Sequence, residues 1–119
     1  MKYVWTTIST DDMETSILFY KNIVRLPIMR RFKTDDGEIA FLGKEGETLI
    51  ELIQSSTPAP KIGQGISLGF AVESLEETLS MFKRMGVKIE SGPFQPNENI
   101  RFFYVLDPNG VRVQFSHSS

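Results

Sequence analysis

Few side chains in this sequence are suited to acid–base, nucleophilic or metal chemistry. The chain has no cysteine and a single histidine, His117, so neither thiolate chemistry nor a disulfide is available. One carboxylate stands out, because Glu51 lies among apolar residues in the segment 47–54, which is predicted to be a β-strand. A carboxylate placed there could bind a cationic group, or act as a general base if desolvation raised its pKa.

Two helices are predicted, each from a start signal followed by an apolar stripe. Asp12 is a suitable N-cap for the first helix, because its carboxylate can accept the free amide hydrogens of the first turn. Ser74 with Glu77 three residues later forms a capping box for the second helix, and Gly86 lies where a helix-ending glycine is expected. The stripes have helical spacing: Met13, Ile17, Tyr20 and Val24 in the first helix, and Leu75, Leu79 and Phe82 in the second.

The two halves of the chain form an internal repeat. A shift of 62 residues carries Asp12 onto Ser74 and Ile8 onto Phe70, and it also superimposes the two helix stripes. A cap, a stripe and a preceding strand that all agree in register are not expected by chance. The segment 55–63 is rich in proline and serine and is interpreted as a connector. We therefore expect one domain over 1–119, with modules at about 1–54 and 64–119.

Strands account for the rest of each module. They are predicted at 2–9, 28–34, 37–43 and 47–54 in the first half, and at 64–72, 87–90, 100–106 and 111–117 in the second. Asp35-Asp36-Gly37 and Asp107-Pro108-Asn109-Gly110 are turn signals between consecutive strands. Each half is therefore predicted to be a β-α-β-β-β module.

The composition argues against several classes of protein. The formal net charge is -2 and no basic cluster is larger than Arg30-Arg31, so nucleic acid is not expected as a partner. The sequence begins without the features of a signal peptide, and no apolar run approaches the roughly 20 residues that span a bilayer. We expect a cytoplasmic protein with no membrane partner.

With these elements in place, the chain resembles the vicinal-oxygen-chelate superfamily. That superfamily includes glyoxalase I, methylmalonyl-CoA epimerase, extradiol dioxygenases, and fosfomycin and bleomycin resistance proteins. The markers are DMETSILFY at 12–20, GEIAFL at 37–42 and FYVLDPNG at 103–110. The resemblance implies an α+β fold of two βαβββ modules, whose mixed sheet curls around a cleft and whose subunits commonly pair. We therefore expect a homodimer that binds a small molecule.

The resemblance also implies four cleft positions that hold a divalent metal in the metal-using members, on the first and last strands of each module. Here these positions are Trp5, Glu51, Ser67 and Gln114, where the family usually has histidine or glutamate. The repeat supports this mapping, because Trp5 and Ser67 are 62 residues apart and Glu51 and Gln114 are 63 apart. Only Glu51 is a strong ligand, since tryptophan has no lone pair to offer and hydroxyl and amide oxygens bind weakly. We expect no metal and no other cofactor, which removes the charge that stabilises the enediolate in glyoxalase I and epimerase chemistry.

Strand alternation predicts which side chains share the cleft with these positions. The alternate positions are almost all apolar and are predicted to face the helices, whereas the cleft side mixes aromatic, polar and small residues, as a ligand pocket does. The candidate ligand-binding residues are Trp5, Thr7, Glu51, Ser67, Phe102, Tyr104, Arg112 and Gln114.

Each candidate also has a structural alternative. Trp5 either stacks on a ligand or fills the space of a lost metal. Glu51, the one candidate catalytic residue, alternatively hydrogen-bonds Ser67, Gln114 or a tyrosine and only orders the cleft. Gln114 is interpreted as a hydrogen-bonding wall residue rather than a metal ligand.

Two further candidates, Tyr104 and Arg112, also have more than one interpretation. Tyr104 either orients a substrate oxygen, as the resemblance to fosfomycin-resistance proteins implies, or is a packed aromatic. Arg112 pairs with Glu51 or with an anionic ligand, or it is solvated at a strand end.

Three functions follow from these alternatives. The first is metal-independent binding of a small organic molecule, with aromatic ligands among the candidates, as in the bleomycin-resistance branch. The second is a lyase or isomerase related to lactoylglutathione lyase, or a dioxygenase-related enzyme. The third is an interaction or regulatory module with a vestigial cleft. The missing metal ligands favour the first, and the fold alone does not decide between them.

Overall fold

A computed structural model describes all 119 residues, Met1–Ser119, and they form two compact units, Met1–Lys61 and Ile62–Ser119. We call these units the first and the second module. The first contains β1 (Trp5–Ser9), α1 (Met13–Leu18), a π-helical turn (Phe19–Ile23), β2 (Ile28–Lys33), β3 (Gly37–Leu42) and β4 (Leu49–Ser55). The second contains β5 (Ser67–Ala71), α2 (Leu75–Met85), β6 (Ser91–Asn97), β7 (Ile100–Leu106) and β8 (Arg112–Ser118).

Both modules have the same sheet topology. The strand orders are β1-β4-β3-β2 and β5-β8-β7-β6. In each sheet the first strand runs parallel to the last, and the remaining pairs are antiparallel. The predicted α+β fold of two βαβββ modules is confirmed, and each module forms an open, mixed, four-stranded sheet.

The strand registers confirm the internal repeat. In the first module Thr7 lies opposite Glu51 on the neighbouring strand, and in the second module Gly69 lies opposite Gln114. Thr7 and Gly69 are 62 residues apart, whereas Glu51 and Gln114 are 63 apart. A one-residue slip therefore separates the beginning of each module from its end.

The slip arises in two opposite steps, one at the end of the helical segment and one inside β6. Six α-helical and five π-helical residues in the first module match the eleven residues of α2, and both helical segments keep the shift of 62. Arg30 and Ser91 pair with the equivalent residues Phe41 and Tyr104 and are 61 residues apart, and two bulges in β6 then raise the separation to 63. A left-handed residue ends each helical segment, Arg25 with φ 71° and Gly86 with φ 76°, and the wide π turn places Arg25 one position later than its counterpart.

Each module packs its helix against one face of its sheet. The buried apolar residues are Ile8, Met13, Ile17, Phe19, Tyr20, Ala40, Leu42, Ile50 and Leu52 in the first module, and Leu75, Phe82, Phe103, Val105, Val111, Val113 and Phe115 in the second. Phe82 anchors the second core by packing edge-on against Phe103 and Phe115, at centroid distances of 5.8 and 5.0 Å. The strand positions predicted to face the helices supply most of this core, whereas Val4, predicted to do the same, is exposed.

Three of the predicted strands need correction. The segment 87–90 is not a strand, and β6 starts only at Ser91 and continues through Pro93 and Pro96. Proline is tolerated there because β6 is the edge strand of its sheet, where one side of the backbone needs no partner. The strands β1 and β5 start later than predicted, at Trp5 and Ser67.

The turn predicted at Asp107-Pro108-Asn109-Gly110 is present between β7 and β8. The buried carboxylate of Asp107 accepts hydrogen bonds from the backbone N–H of Asn109 and of Val111, both at 2.8 Å, and thereby closes the turn between β7 and β8. Gly110 has φ 86°, a conformation that glycine adopts without strain. Neither helix has the length and apolar composition needed to cross a membrane.

Candidate functional site

The face of each sheet that points away from its helix holds the candidate residues, and we call it the open face of the module. On the first module, one row across the sheet joins Phe41, Glu51 and Thr7 by strand pairing. Trp5 lies two residues before Thr7 on β1 and therefore on the same face. The structure thus places three of the predicted residues, Trp5, Thr7 and Glu51, together on one open face.

Glu51 is the buried carboxylate of this face, with only 9% of its surface exposed. Its Oε1 accepts a hydrogen bond from the Thr7 hydroxyl at 2.5 Å. Thr7 was not among the partners that sequence analysis considered for Glu51. Thr7 takes this role because parallel pairing of β1 with β4 sets it directly opposite Glu51.

Trp5 is half-exposed, at 46%, and does not lie in the core. Its ring meets Phe41 edge-on, with centroids 5.4 Å apart and an interplanar angle of 66°. An aromatic pair of this kind contributes roughly 0.5–1.5 kcal/mol beyond the burial of its area. The pair leaves indole surface available beside the Glu51 row.

On the second module, the corresponding row contains Gly69, Gln114 and Tyr104. The Gln114 side-chain amide donates a hydrogen bond to the Tyr104 hydroxyl oxygen, at 3.1 Å. A side chain at Gly69 would lie 3.3 Å from Gln114 Oε1, so the glycine leaves room for the amide in this row. Ser67 lies on the same face and is exposed.

Arg112 is fixed by the second module's own residues. Its guanidinium lies over the Tyr104 ring, 3.9 Å from the centroid, and its Nε forms an ion pair with Glu90 at 3.1 Å. The paired guanidinium is not the solvated strand-end side chain that was one of the expectations, and a role for Arg112 toward an anionic ligand stays a prediction. Glu90 can reach Arg112 because its backbone N–H bonds the carbonyl of Tyr104, which brings the start of β6 beside β7.

Three aromatic rings form a patch on the open face of the second module. Phe94, Phe102 and Tyr104 lie with centroids 5.6 to 6.4 Å apart, and we call them the aromatic patch. Phe94 is 44% exposed, and Phe102 and Tyr104 are half-buried. Rings arranged in this way offer an apolar surface with adjoining polar groups, as ligand pockets do.

The side chains at the four family positions do not fit a divalent metal. The first module contributes a tryptophan, which lacks a donor, and Glu51, one of whose oxygens is bonded to Thr7. The second module contributes a hydroxyl from Ser67 and the amide of Gln114, and no group of three histidine, cysteine, aspartate or glutamate side chains occurs in the chain. His117 uses its Nδ1 to contact the carbonyl of Val72 at 3.0 Å. This donor set is weaker than the three or four strong ligands that such metals require.

Two residues of the open faces were missed by sequence analysis. Phe41 alternates with the buried Ala40 and Leu42, and the same alternation that selected Glu51 would have found it. Phe94 was missed because the prolines around it indicated a loop rather than a strand. Its partner on β7, Phe102, was identified.

The repeat, the sheet topology and the four equivalent strand positions define a known family. This chain belongs to the Glyoxalase/Bleomycin resistance protein/Dioxygenase superfamily, whose family model matches residues 2–115. It is similar to a lactoylglutathione lyase of Neisseria meningitidis serogroup A, with 27% identity over 97% of this chain and 89% of that protein.

Solved structures share the fold at lower identity. Glyoxalase I of Leishmania major has a TM-score of 0.81 and 20% identity, and the match covers 97% of this chain and 85% of that one. TnmS3, an antibiotic binding protein from Streptomyces sp. CB03234, has a TM-score of 0.80 and 19% identity, and the match covers 100% of this chain and 98% of that one.

Proposed function

We propose that this protein binds a small organic molecule with a planar aromatic part, without a metal, and that the aromatic patch of the second module is its binding surface. The observation that carries the proposal is the cluster of three partly exposed rings on a sheet face that the core does not use. Stacking on such rings adds roughly 0.5–1.5 kcal/mol to the free energy of burial.

The polar residues beside the patch support binding with a defined orientation. Tyr104 is held by two neighbours. The Arg112 guanidinium lies over its ring, and the Gln114 amide donates a hydrogen bond to its hydroxyl oxygen. Because Glu90 already holds the guanidinium of Arg112, little side-chain freedom remains to be lost when a ligand binds. The surface is therefore preorganised.

A glyoxalase-related lyase is the alternative, and the name of the Neisseria relative is the observation in its favour. In metal-dependent members of the superfamily, that chemistry needs a Lewis acid beside the reacting oxygen. The side chains at the family positions do not supply a site for one, so binding without a metal has the stronger support.

Titration with a named aromatic probe tests the proposal. We expect 2-naphthol to shift amide signals of β7 in two-dimensional NMR and Tyr104→Leu to weaken its binding about tenfold, which corresponds to roughly 1.4 kcal/mol. Tyr104→Phe keeps the ring and should change binding much less. Met85→Ala, which removes an exposed apolar side chain on α2, is the control and should change nothing.

Two further measurements separate the alternatives. Elemental analysis of untagged protein should find well under one equivalent of Ni, Zn, Fe or Mn per chain. Formation or breakdown of lactoylglutathione, assayed with and without added Zn²⁺ or Ni²⁺, should remain at background. One bound metal per chain together with turnover would establish the lyase instead.

A further inference from the structure

The open face of the first module holds a buried carboxylate that no protein cation neutralises. Glu51 is 9% exposed and takes part in none of the ion pairs of the structure. Burying a carboxylate is unfavourable unless hydrogen bonds or a positive charge compensate for its lost hydration. One hydroxyl, that of Thr7, provides only part of this compensation.

The second carboxylate oxygen of Glu51 is available from outside. Oε1 accepts the hydrogen bond from Thr7, whereas Oε2 accepts none in the structure. No buried side-chain nitrogen or oxygen in the chain lacks a hydrogen-bond partner, so Oε2 must reach the surface. The carboxylate therefore presents one free oxygen to whatever occupies the open face.

The two arginines of the first module's sheet are engaged elsewhere. Arg31 forms ion pairs with Glu14 of α1 and Glu38 of β3, on the helix side of the sheet. Arg30 lies in the same row as Glu51 but two strands away, and its guanidinium is over the Phe32 ring at 4.9 Å. Neither arginine provides a counter-ion for Glu51.

Aromatic surface flanks the free carboxylate. Phe41 is the direct strand neighbour of Glu51, and Trp5 packs edge-on against Phe41 while keeping 46% of its own surface exposed. Aromatic faces attract cations with an energy that grows as the site loses water, and tryptophan is the strongest of them. A carboxylate and aromatic rings side by side are the two groups that recognise an organic ammonium ion.

We infer that the open face of the first module is a binding site for a small organic cation, with Glu51 as the counter-ion and Trp5 and Phe41 as the aromatic surface. A bare metal ion does not fit, because one carboxylate oxygen is the only strong free donor. This inference goes beyond the proposed function, since it concerns residues of the first module and does not require the aromatic patch.

The test compares a cation with its neutral counterpart. The probes are 2-phenylethylammonium and 2-phenylethanol, and the readout is the fluorescence of Trp5, the single tryptophan of the chain. We expect the wild-type protein to bind the ammonium at least tenfold more tightly than the alcohol. Glu51→Gln should remove this preference while retaining the weak binding of the alcohol.

The matched control is Glu47→Gln, which removes the same charge from an exposed position of the same module. It should retain the full preference for the ammonium, which does not depend on the aromatic patch. If 2-naphthol fails to bind at that patch while the ammonium preference holds, the proposed function fails and this inference stands.

A measurement on the wild-type protein keeps the test valid even where Glu51→Gln does not fold. The ammonium probe should shift the backbone amide signals of Thr7, Phe41 and Glu51, and the alcohol should shift them far less. Equal affinity for the two probes, or unchanged signals at these three residues, would overturn the inference. So would a folded Glu51→Gln variant that still prefers the ammonium.

Discussion

At the scale of single residues, the two modules place different chemistry at equivalent positions. In the first module, Thr7 and Glu51 form a buried carboxylate site. At the equivalent positions of the second module, Gly69 leaves room for Gln114, which hydrogen-bonds Tyr104. Sequence analysis could identify the face on which Glu51 and Gln114 lie, because side chains alternate along a strand.

Side-chain partners were harder to predict than faces. Arg112 pairs with Glu90, a contact that depends on where the start of β6 lies beside β7. Sequence analysis placed a strand at 87–90 but could not give its register beside β7, so it did not identify Glu90 as the partner of Arg112. Whether the eight candidate residues bind a ligand stays a prediction.

The N-cap of α1 gives a prediction about pH. A hydrogen bond from the Thr15 side chain, followed by one from the Thr15 backbone, lowers the pKa of Asp12 below its ordinary value of 3.8. Because the pKa of Asp12 is lower in the folded state, the ionised carboxylate stabilises the fold at any pH above its ordinary pKa. This stability is lost as the pH falls through the lowered pKa of the folded state.

We therefore expect Asp12→Asn to lower the melting temperature at neutral pH, and the difference from wild type to disappear at acidic pH. Thermal unfolding followed by circular dichroism across that range checks this. Thr15→Val, which removes the hydroxyl bonded to the carboxylate, should give the same pattern. If the melting temperature of Asp12→Asn stayed below that of wild type at a pH under the lowered pKa, the effect could not be assigned to ionised Asp12.

At the scale of elements, helix starts and tight turns were the best predicted features. Asp12 and Ser74 both cap their helices through side-chain oxygens, and Gly86 ends α2 in the left-handed conformation. These signals work because they act within a few residues. The π turn at Phe19–Ile23 and the edge strand β6 were not predicted, because both depend on how distant segments pack.

Ser74 provides a test of the second helix. Its Oγ accepts a hydrogen bond from the Glu77 N–H at 3.2 Å, so Ser74→Ala should lower the free energy of unfolding by about 1 kcal/mol. Chemical denaturation measures this. Ser80→Ala, at an exposed position inside α2, should be neutral or slightly stabilising, because alanine is the better helix former. Equal losses in both variants would show that the cap is not responsible.

At the scale of the whole molecule, each open sheet leaves edge strands without a backbone partner. β1 and β2 are the edges of the first sheet, and β5 and β6 are the edges of the second. Apolar side chains are exposed where two of these edges begin, with Val4 at 44% before β1 and Ile66 at 68% before β5. Unpaired edges with apolar residues are common sites of association.

We expect the protein to be a homodimer in solution. Sedimentation at tens of micromolar should give twice the chain mass of 13.5 kDa. Introducing a charge by Val4→Lys or Ile66→Lys should shift the equilibrium toward the monomer, whereas Met85→Lys, on the outer surface of α2, should not. A wild-type monomer at these concentrations would contradict the prediction.

The one-residue slip between the modules also shows where the sheet tolerates added residues. The two bulges of β6 each place three residues opposite two of β7, so the added residues lie in an edge strand and the other strand pairs of its sheet keep their register. One added residue in a regular strand turns every following side chain to the other face, whereas a bulge in an edge strand absorbs the residue locally. Because Glu51 and Gln114 lie on interior strands, their rows keep equivalent positions while β6 takes up the difference in length.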